Sequence, residues 1–96
     1  MIGVVVTFIY GEAFDRERVV KVATDAAPRF EGLAGLRSKV FTVDAANQRA
    51  TNVYVWDSEE AARAFFDGAM LERVTSLYGV RPTVDFVEIA ALVENT

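Results

Sequence analysis

Apolar positions change period four times along this chain, and each change predicts an element. Residues 2 to 10 are rich in β-branched and aromatic types and are apolar on both alternations, the pattern of a strand covered on both faces. Gly11 ends it. Asp15 is placed to cap a helix, and Val19, Val22, Ala23, Ala26 and Phe30 follow at helical spacing as a buried stripe. Pro28 cannot donate to the helical ladder and disfavours a helical Ala27, so the helix is expected to end or kink there.

Gly32 and Gly35 punctuate a loop before a second strand over 36–43. Asp44 to Ala50 is polar enough to be a hairpin link, with a third strand over 51–57. Asp57 and Glu60 have capping-box spacing. Ala62, Phe66, Met70, Val74 and Leu77 then form a stripe interrupted only by Gly68, which reads as one long helix or two short ones. Gly79 suits the position just past a helix, and 81–93 reads as a last, long strand with Pro82 near its start.

The order β-α-β-β-α-β predicts an α+β, ferredoxin-like sandwich occupying 1–96 as one domain. Helices cover one face of its sheet. The other face is apolar as well, judged by residues 2–10 and 83–93, and a homodimer with two sheets packed face to face would cover it. In that assembly the last strand is expected to reach the edge of its partner's sheet.

Composition sharpens this picture by exclusion. Hydrophobic residues make up 52% of 96, a high share for so small an interior, which again asks for a partner surface. Ten basic residues are scattered among fourteen acidic ones for a net charge of -4, so neither nucleic acid nor an anionic membrane is an expected partner. The absence of cysteine and histidine argues against disulfides, thiolate catalysis and protein-held zinc or haem, and removes the usual near-neutral base. The apolar opening lacks a basic leader and a cleavage site and reads as a strand, no run approaches the length of about 18 residues for a membrane span, and a cytoplasmic protein is expected.

Asn52, Tyr54 and Trp56 alternate on one sheet face. They either line a pocket, the rings stacking on a planar molecule while the amide bonds its oxygen, or are ordinary core. Trp56 is expected against the second helical stretch near Phe66 or Met70, which are candidates to line the same pocket. Arg37 and Lys39 share a face with Phe41 and Val43; they either protect an edge or, if the hairpin pairs residues whose numbers add to an odd value, Lys39 joins Tyr54 and Trp56 and can hold an anionic oxygen. Tyr78, at the end of its helix, either packs or faces a ligand. Asp85 and Glu88 have opposite parity, so one points to a dry face as a base or as a partner-chain ion pair. Nucleophile triads, phosphate loops and metal-ligand spacings do not occur.

Gly35-Leu-x-x-Lys-Val-Phe41, Val53-Tyr-Val-Trp-x-Ser-x-Glu-Ala-Ala62, Leu77-Tyr-Gly-Val-Arg-Pro-Thr83 and Leu92-Val-Glu-Asn95 resemble the YdhR-like mono-oxygenase family from about residue 28 to the end. The resemblance implies a dimeric α/β barrel. It also implies a cofactor-independent mono-oxygenase acting on a small electron-rich aromatic or polyketide-like molecule; taken with the readings above, Asn52, Trp56 and Lys39 are the catalytic candidates and Tyr54, Tyr78, Phe66 and Met70 the substrate-binding ones. In cofactor-free oxygenases of this superfamily an Asn and a Trp four residues apart sit in the active site, a spacing that Asn52 and Trp56 match. Related enzymes often use a histidine; this chain has none, which leaves the base unassigned. A non-catalytic small-molecule binder or stress-related dimer of the same fold is the alternative.

Overall fold

The computed structural model describes residues 1–95; the last residue of the expected domain, Thr96, lies outside the described residues. The elements are β1 (Ile2–Ile9), α1 (Arg16–Ala26), β2 (Leu36–Asp44), β3 (Arg49–Trp56), α2 (Glu59–Phe65), α3 (Gly68–Tyr78) and β4 (Thr83–Glu88). The strands form one antiparallel sheet in the order β2-β3-β1-β4, the ferredoxin-like arrangement expected of this element string. Both interior strands, β1 and β3, direct Ile2, Val4, Val6 and Phe8 and Ala50, Asn52, Tyr54 and Trp56 to the helical side, where all are buried.

Caps set where the helices start. Asp15 accepts from the Arg18 amide and opens α1, as its position predicted. The second cap is a correction: Ser58, not Asp57, accepts from the Ala61 amide at 3.1 Å. Asp57 is still held at the strand end by its own N–H, which donates to the Gly35 carbonyl at 2.8 Å, and its carboxylate turns to Arg37 at 3.8 Å. Of the two helical alternatives the chain takes two short helices. α2 ends at Phe65, Phe66 leaves the helical region at φ -89°, ψ 62°, and Asp67 caps α3 through the Met70 amide at 2.8 Å. Leu77 falls off the buried stripe with 46% exposure, and Tyr78 takes the inward position. Gly79 closes α3 at φ 85°, a conformation that suits glycine.

Two strand expectations change. β4 stops at Glu88 instead of continuing to residue 93, because β1 ends where Ile2 pairs with Glu88 and offers no ladder beyond. The β2–β3 hairpin pairs Lys39 with Tyr54 and Phe41 with Asn52, the odd-sum register, so Lys39 shares the helical face with Asn52, Tyr54 and Trp56. Arg37 does not join it. A bulge between Leu36 and Ser38 places Leu36 opposite Trp56 and leaves Arg37 unpaired in the ladder.

The helix-free face carries Val5, Val40, Val53, Val55 and Val87 among threonines, with Val40 54% and Val87 41% exposed. Asp85 stands on this face opposite Val5, while Glu88 lies on the other face opposite Ile2; both are exposed. No described helix is long and apolar enough to cross a membrane.

Candidate functional site

Among the described residues Asn52 is the one polar residue fully buried with the core, 3% exposed at the middle of an interior strand. Burying an amide without a partner costs several times what a single hydrogen bond returns, so its surroundings decide its role. Its Nδ2 donates to the Tyr78 hydroxyl at 3.2 Å. Tyr78 reaches it because the last turn of α3, stopped by Gly79, lays the phenol ring flat on Phe8 with centroids 3.9 Å apart and planes 8° off parallel. Burial raises the Tyr78 phenol above its ordinary value of 10, with the Asn52 bond pulling the other way, so at neutral pH it is a proton-bearing hydroxyl.

Lys39 enters the same space from β2. Its ammonium lies 3.4 Å from the Phe30 centroid, 4.0 Å from Phe41 and 4.3 Å from Tyr54. No carboxylate lies within ion-pair distance of it among the described residues. Burial disfavours the charged form and brings Lys39 from 10.5 down to about 7. The three ring faces favour the cation and oppose that loss in part. Lys39 is thus poised to exist as amine and ammonium near neutral pH. Tyr54, buried beside it, has its own ionisation pushed well up by burial and then by Tyr78.

A cleft of about 270 Å³ opens between β2 and β3, α3 and the tight turn Ala27–Phe30. Asn52, Tyr54 and Lys39 line it from the sheet, Met70, Val74, Leu77 and Tyr78 from α3, and Phe30, Leu33 and Phe65 complete the apolar wall. Arg29 and Arg73 also line it, and among the described residues no Asp or Glu does. Such a site can orient a flat apolar molecule and offer its oxygen atoms an amide, a phenol and an amine.

Of the residues singled out from sequence, Asn52, Lys39, Tyr54, Tyr78 and Met70 are brought together here. Trp56 and Phe66 are not among the lining residues. Trp56, 1% exposed, lies 5.1 Å from the Phe65 centroid and stacks at 6.2 Å on Tyr54, on the side of Tyr54 away from the Asn52 end of the strand. Its Nε1 is buried with no acceptor among the described residues. Neither Asp85 nor Glu88 lines the cleft.

Sequence reasoning missed Phe30, Phe65, Arg29 and Arg73. Its spacing places Phe30 on a helical stripe, but the tight turn at Pro28 swings it over Lys39. An unbroken i, i+4 stripe admits only Phe66 and hides Phe65; the break after α2 lets both rings face the sheet. Asp67, a cap residue just before Gly68, was the signal for that break.

The family model described as "Putative mono-oxygenase ydhR" matches residues 4–87. No curated protein matches the sequence. Among solved structures, a monooxygenase from the gene ActVA-Orf6 of Streptomyces coelicolor, in complex with the ligand nanaomycin D, has a TM-score of 0.68 at 21% identity over 98% of this chain and 92% of that one. SnoaB, a cofactor-independent oxygenase from Streptomyces nogalater, has a TM-score of 0.69 at 14% identity over 98% and 97%. A dimeric ferredoxin-like protein of unknown function from Thermobifida fusca has a TM-score of 0.69 at 17% identity over 92% and 90%. At such identities the likeness is one of fold. The family match is broader than the sequence resemblance at its start, reaching back into β1, and it spans most of the chain. The chain belongs to the ydhR mono-oxygenase family.

Proposed function

We propose that the protein is a cofactor-independent mono-oxygenase acting on an electron-rich aromatic or polyketide-like molecule held in the cleft beside Asn52. The observation that carries this reading is the buried Asn52–Tyr78 hydrogen bond set 3.2 Å long at the floor of an aromatic-walled cleft, with Lys39 in the same cleft, in a chain of a mono-oxygenase family. SnoaB, similar in fold, is described as a cofactor-independent oxygenase, and the ActVA-Orf6 structure holds a ligand, which support the class of reaction and of substrate.

For an anthrone-like substrate the chemistry balances without a further reductant. The substrate loses a proton to the Lys39 amine and becomes an enolate, whose oxygen the Asn52 amide and the new Lys39 ammonium stabilise. The enolate carbon gives its electrons to O₂ and binds it. The O–O bond then breaks, leaving one oxygen atom as a carbonyl on that carbon and releasing the other as water with the two hydrogens the carbon carried. Tyr54, Phe30 and Phe65 hold the ring system and keep water out. Because an amine base requires the neutral form, the rate should rise with pH through about 7 and level above it.

The protein acts as a homodimer in this reading. The valines of the helix-free face, Val40 and Val53 among them, are exposed in the single chain, and the Thermobifida fusca protein of the same fold is described as dimeric. Val53→Glu, at the middle of that face, is expected to give a monomer by sedimentation; a dimer that survives it contradicts face-to-face packing.

Oxygen uptake decides the reaction. Chelator-treated protein, shown spectrally to be free of flavin and haem, is expected to consume oxygen with an uncharged anthrone or quinol. Uptake that appears only on adding flavin would sink the mechanism, and tight binding with no uptake would leave a small-molecule binder.

A further inference from the structure

The charges around the cleft run against those of the protein. The chain has fourteen acidic residues, ten basic and a net charge of -4, yet Arg29, Lys39 and Arg73 line the cleft and, among the described residues, no carboxylate does. If acidic and basic side chains were placed without regard to the cleft, acids would outnumber bases at its wall. Of the seven cations elsewhere, three have an acidic partner among the described residues, Lys21 with Asp25 at 2.9 Å, Arg63 with Glu59 at 2.8 Å and Arg37 with Asp57 at 3.8 Å, and four have none, so what sets the cleft cations apart is their shared place on its wall. Among the described residues neither Arg29 nor Arg73 has such a partner.

Their positions also differ from that of Lys39. Arg29 stands on the tight turn Ala27–Phe30, directly before the ring that covers Lys39. Arg73 stands on α3 one turn before Leu77, which is exposed at the cleft's margin, while Met70 and Tyr78 of the same helix are buried. Both guanidinium-bearing residues are exposed, and Lys39 is half-buried among rings. The cleft therefore has an apolar, amide- and phenol-bearing interior and a cationic rim.

We propose that the molecule bound in this cleft is an aromatic carboxylic acid, its ring system inside against Tyr54 and Phe30 and its carboxylate at the rim between Arg29 and Arg73. The inference rests on the mono-oxygenase reading for where the ring sits and narrows the substrate class. A planar guanidinium offers paired N–H donors that match the two oxygens of a carboxylate, and a low-dielectric wall beside it strengthens the attraction. A rim carboxylate would also fix which end of a flat ring system enters first. The oxygen that is to become an enolate then lies at the Asn52 end, away from the two arginines.

The test compares 6-hydroxy-2-naphthoic acid, whose hydroxyl and carboxylate stand at opposite ends of the rings, with its methyl ester, which has the same rings and no charge, by isothermal titration on the whole protein. At low salt the acid is expected to bind about tenfold tighter or more, as charge-assisted hydrogen bonds to a carboxylate warrant, and to lose that margin at high salt. Arg29→Gln combined with Arg73→Gln should bring the acid's affinity to that of the ester. Lys21→Gln, which removes the same charge from the outer side of α1, should leave the preference intact, so a general effect of net charge is separated from a site. Both arginines are exposed, and circular dichroism melts check that the double variant folds. Equal binding of acid and ester, a preference that survives the double substitution, or binding of neither compound overturns the proposal. Oxygen uptake with an uncharged anthrone is independent of it: uptake with no acid preference removes the carboxylate and keeps the mono-oxygenase, whereas acid preference with no uptake does the reverse.

Discussion

Asn52 and Trp56 leave the same face of β3, four residues apart, and meet opposite conditions. Around Trp56 the space is filled: Phe65, Phe66, Tyr54 and Ala61 crowd the indole, and a Cβ on Gly35 would come within 3.0 Å of Ala61 Cβ and 3.7 Å of the indole ring. Around Asn52 the space is open to a cleft, and the polar atoms of Tyr78 and Lys39 converge on it. One strand thus supplies rigidity at one end and chemistry at the other. A polar site needs its side chains fixed, and Tyr54, packed against Trp56 on one side and lining the cleft on the other, connects the two.

The largest effect expected from breaking this contrast is on the filled end. Trp56→Ala should destabilise the protein by about 3–5 kcal/mol, since a buried indole leaves a cavity that ring neighbours only partly close. Its readout is the denaturant midpoint with the slope unchanged. A loss within experimental error of zero would mean that Trp56 borders a ligand space instead of filling the core.

How much of this was legible in the sequence depends on which force decided each feature. Element order and the shared face of Asn52, Tyr54 and Trp56 on β3 follow from hydrophobic period and alternation and appear as predicted, whereas β1, apolar on both alternations, did not reveal which face the helices cover. The position of Lys39 turned on a single-residue choice of hairpin register, so alternation could state the condition and not the answer. Arg37 could not be placed because a bulge breaks the alternation on which the argument stood. The cleft's wall was half visible: Asn52 and Tyr54 follow from parity, while Phe30 and Arg29 reach it through a turn whose direction local sequence does not encode.

At the open end, Asn52→Ala should lower turnover by about 10²–10³, the loss seen when one donor to a developing oxyanion is removed. Its cost to stability should be about 0.5–1.5 kcal/mol, because Tyr78 loses one neutral hydrogen bond and stays stacked on Phe8. Turnover and melting measured on the same preparation separate the two numbers. Proportionate loss of both would put Asn52 in the same class as Trp56.

Lys39→Met tests the cleft through pH. Lys39 titrates at about 7 in the folded protein against 10.5 ordinarily, so between those values the unfolded chain binds more protons than the folded one. Stability contributed through this group therefore rises with pH across that window, and the burial penalty is greatest below it. Lys39→Met removes the penalty and keeps much of the apolar stem. The variant should be the more stable at pH 7, with its advantage shrinking as pH approaches 10. A constant difference across that range would mean that Lys39 is solvated in solution.

Tyr78→Phe and Trp56→Phe provide the finest comparison, because each removes one polar atom from an aromatic side chain, the first from α3 over the Asn52 end of the β3 face and the second at its other end. At Tyr78 the hydroxyl accepts from Asn52 Nδ2, so its loss strands a donor, while the ring and its stack on Phe8 are kept. Asn52 is buried, so the stranded donor places the cost at about 1–3 kcal/mol, above that of losing a solvated hydrogen bond. At Trp56 the Nε1–H has no acceptor among the described residues, so its removal abolishes an unsatisfied donor and the loss comes only from the smaller ring. Trp56→Phe should therefore cost clearly less than Trp56→Ala. Asn52→Ala in the background of Tyr78→Phe should cost less than in the unmodified protein, since the partner is already gone; in the background of Trp56→Phe its cost should not change. Additive losses for Asn52 and Tyr78 would show that their hydrogen bond contributes no coupling energy and that the two halves of the cleft floor are independent.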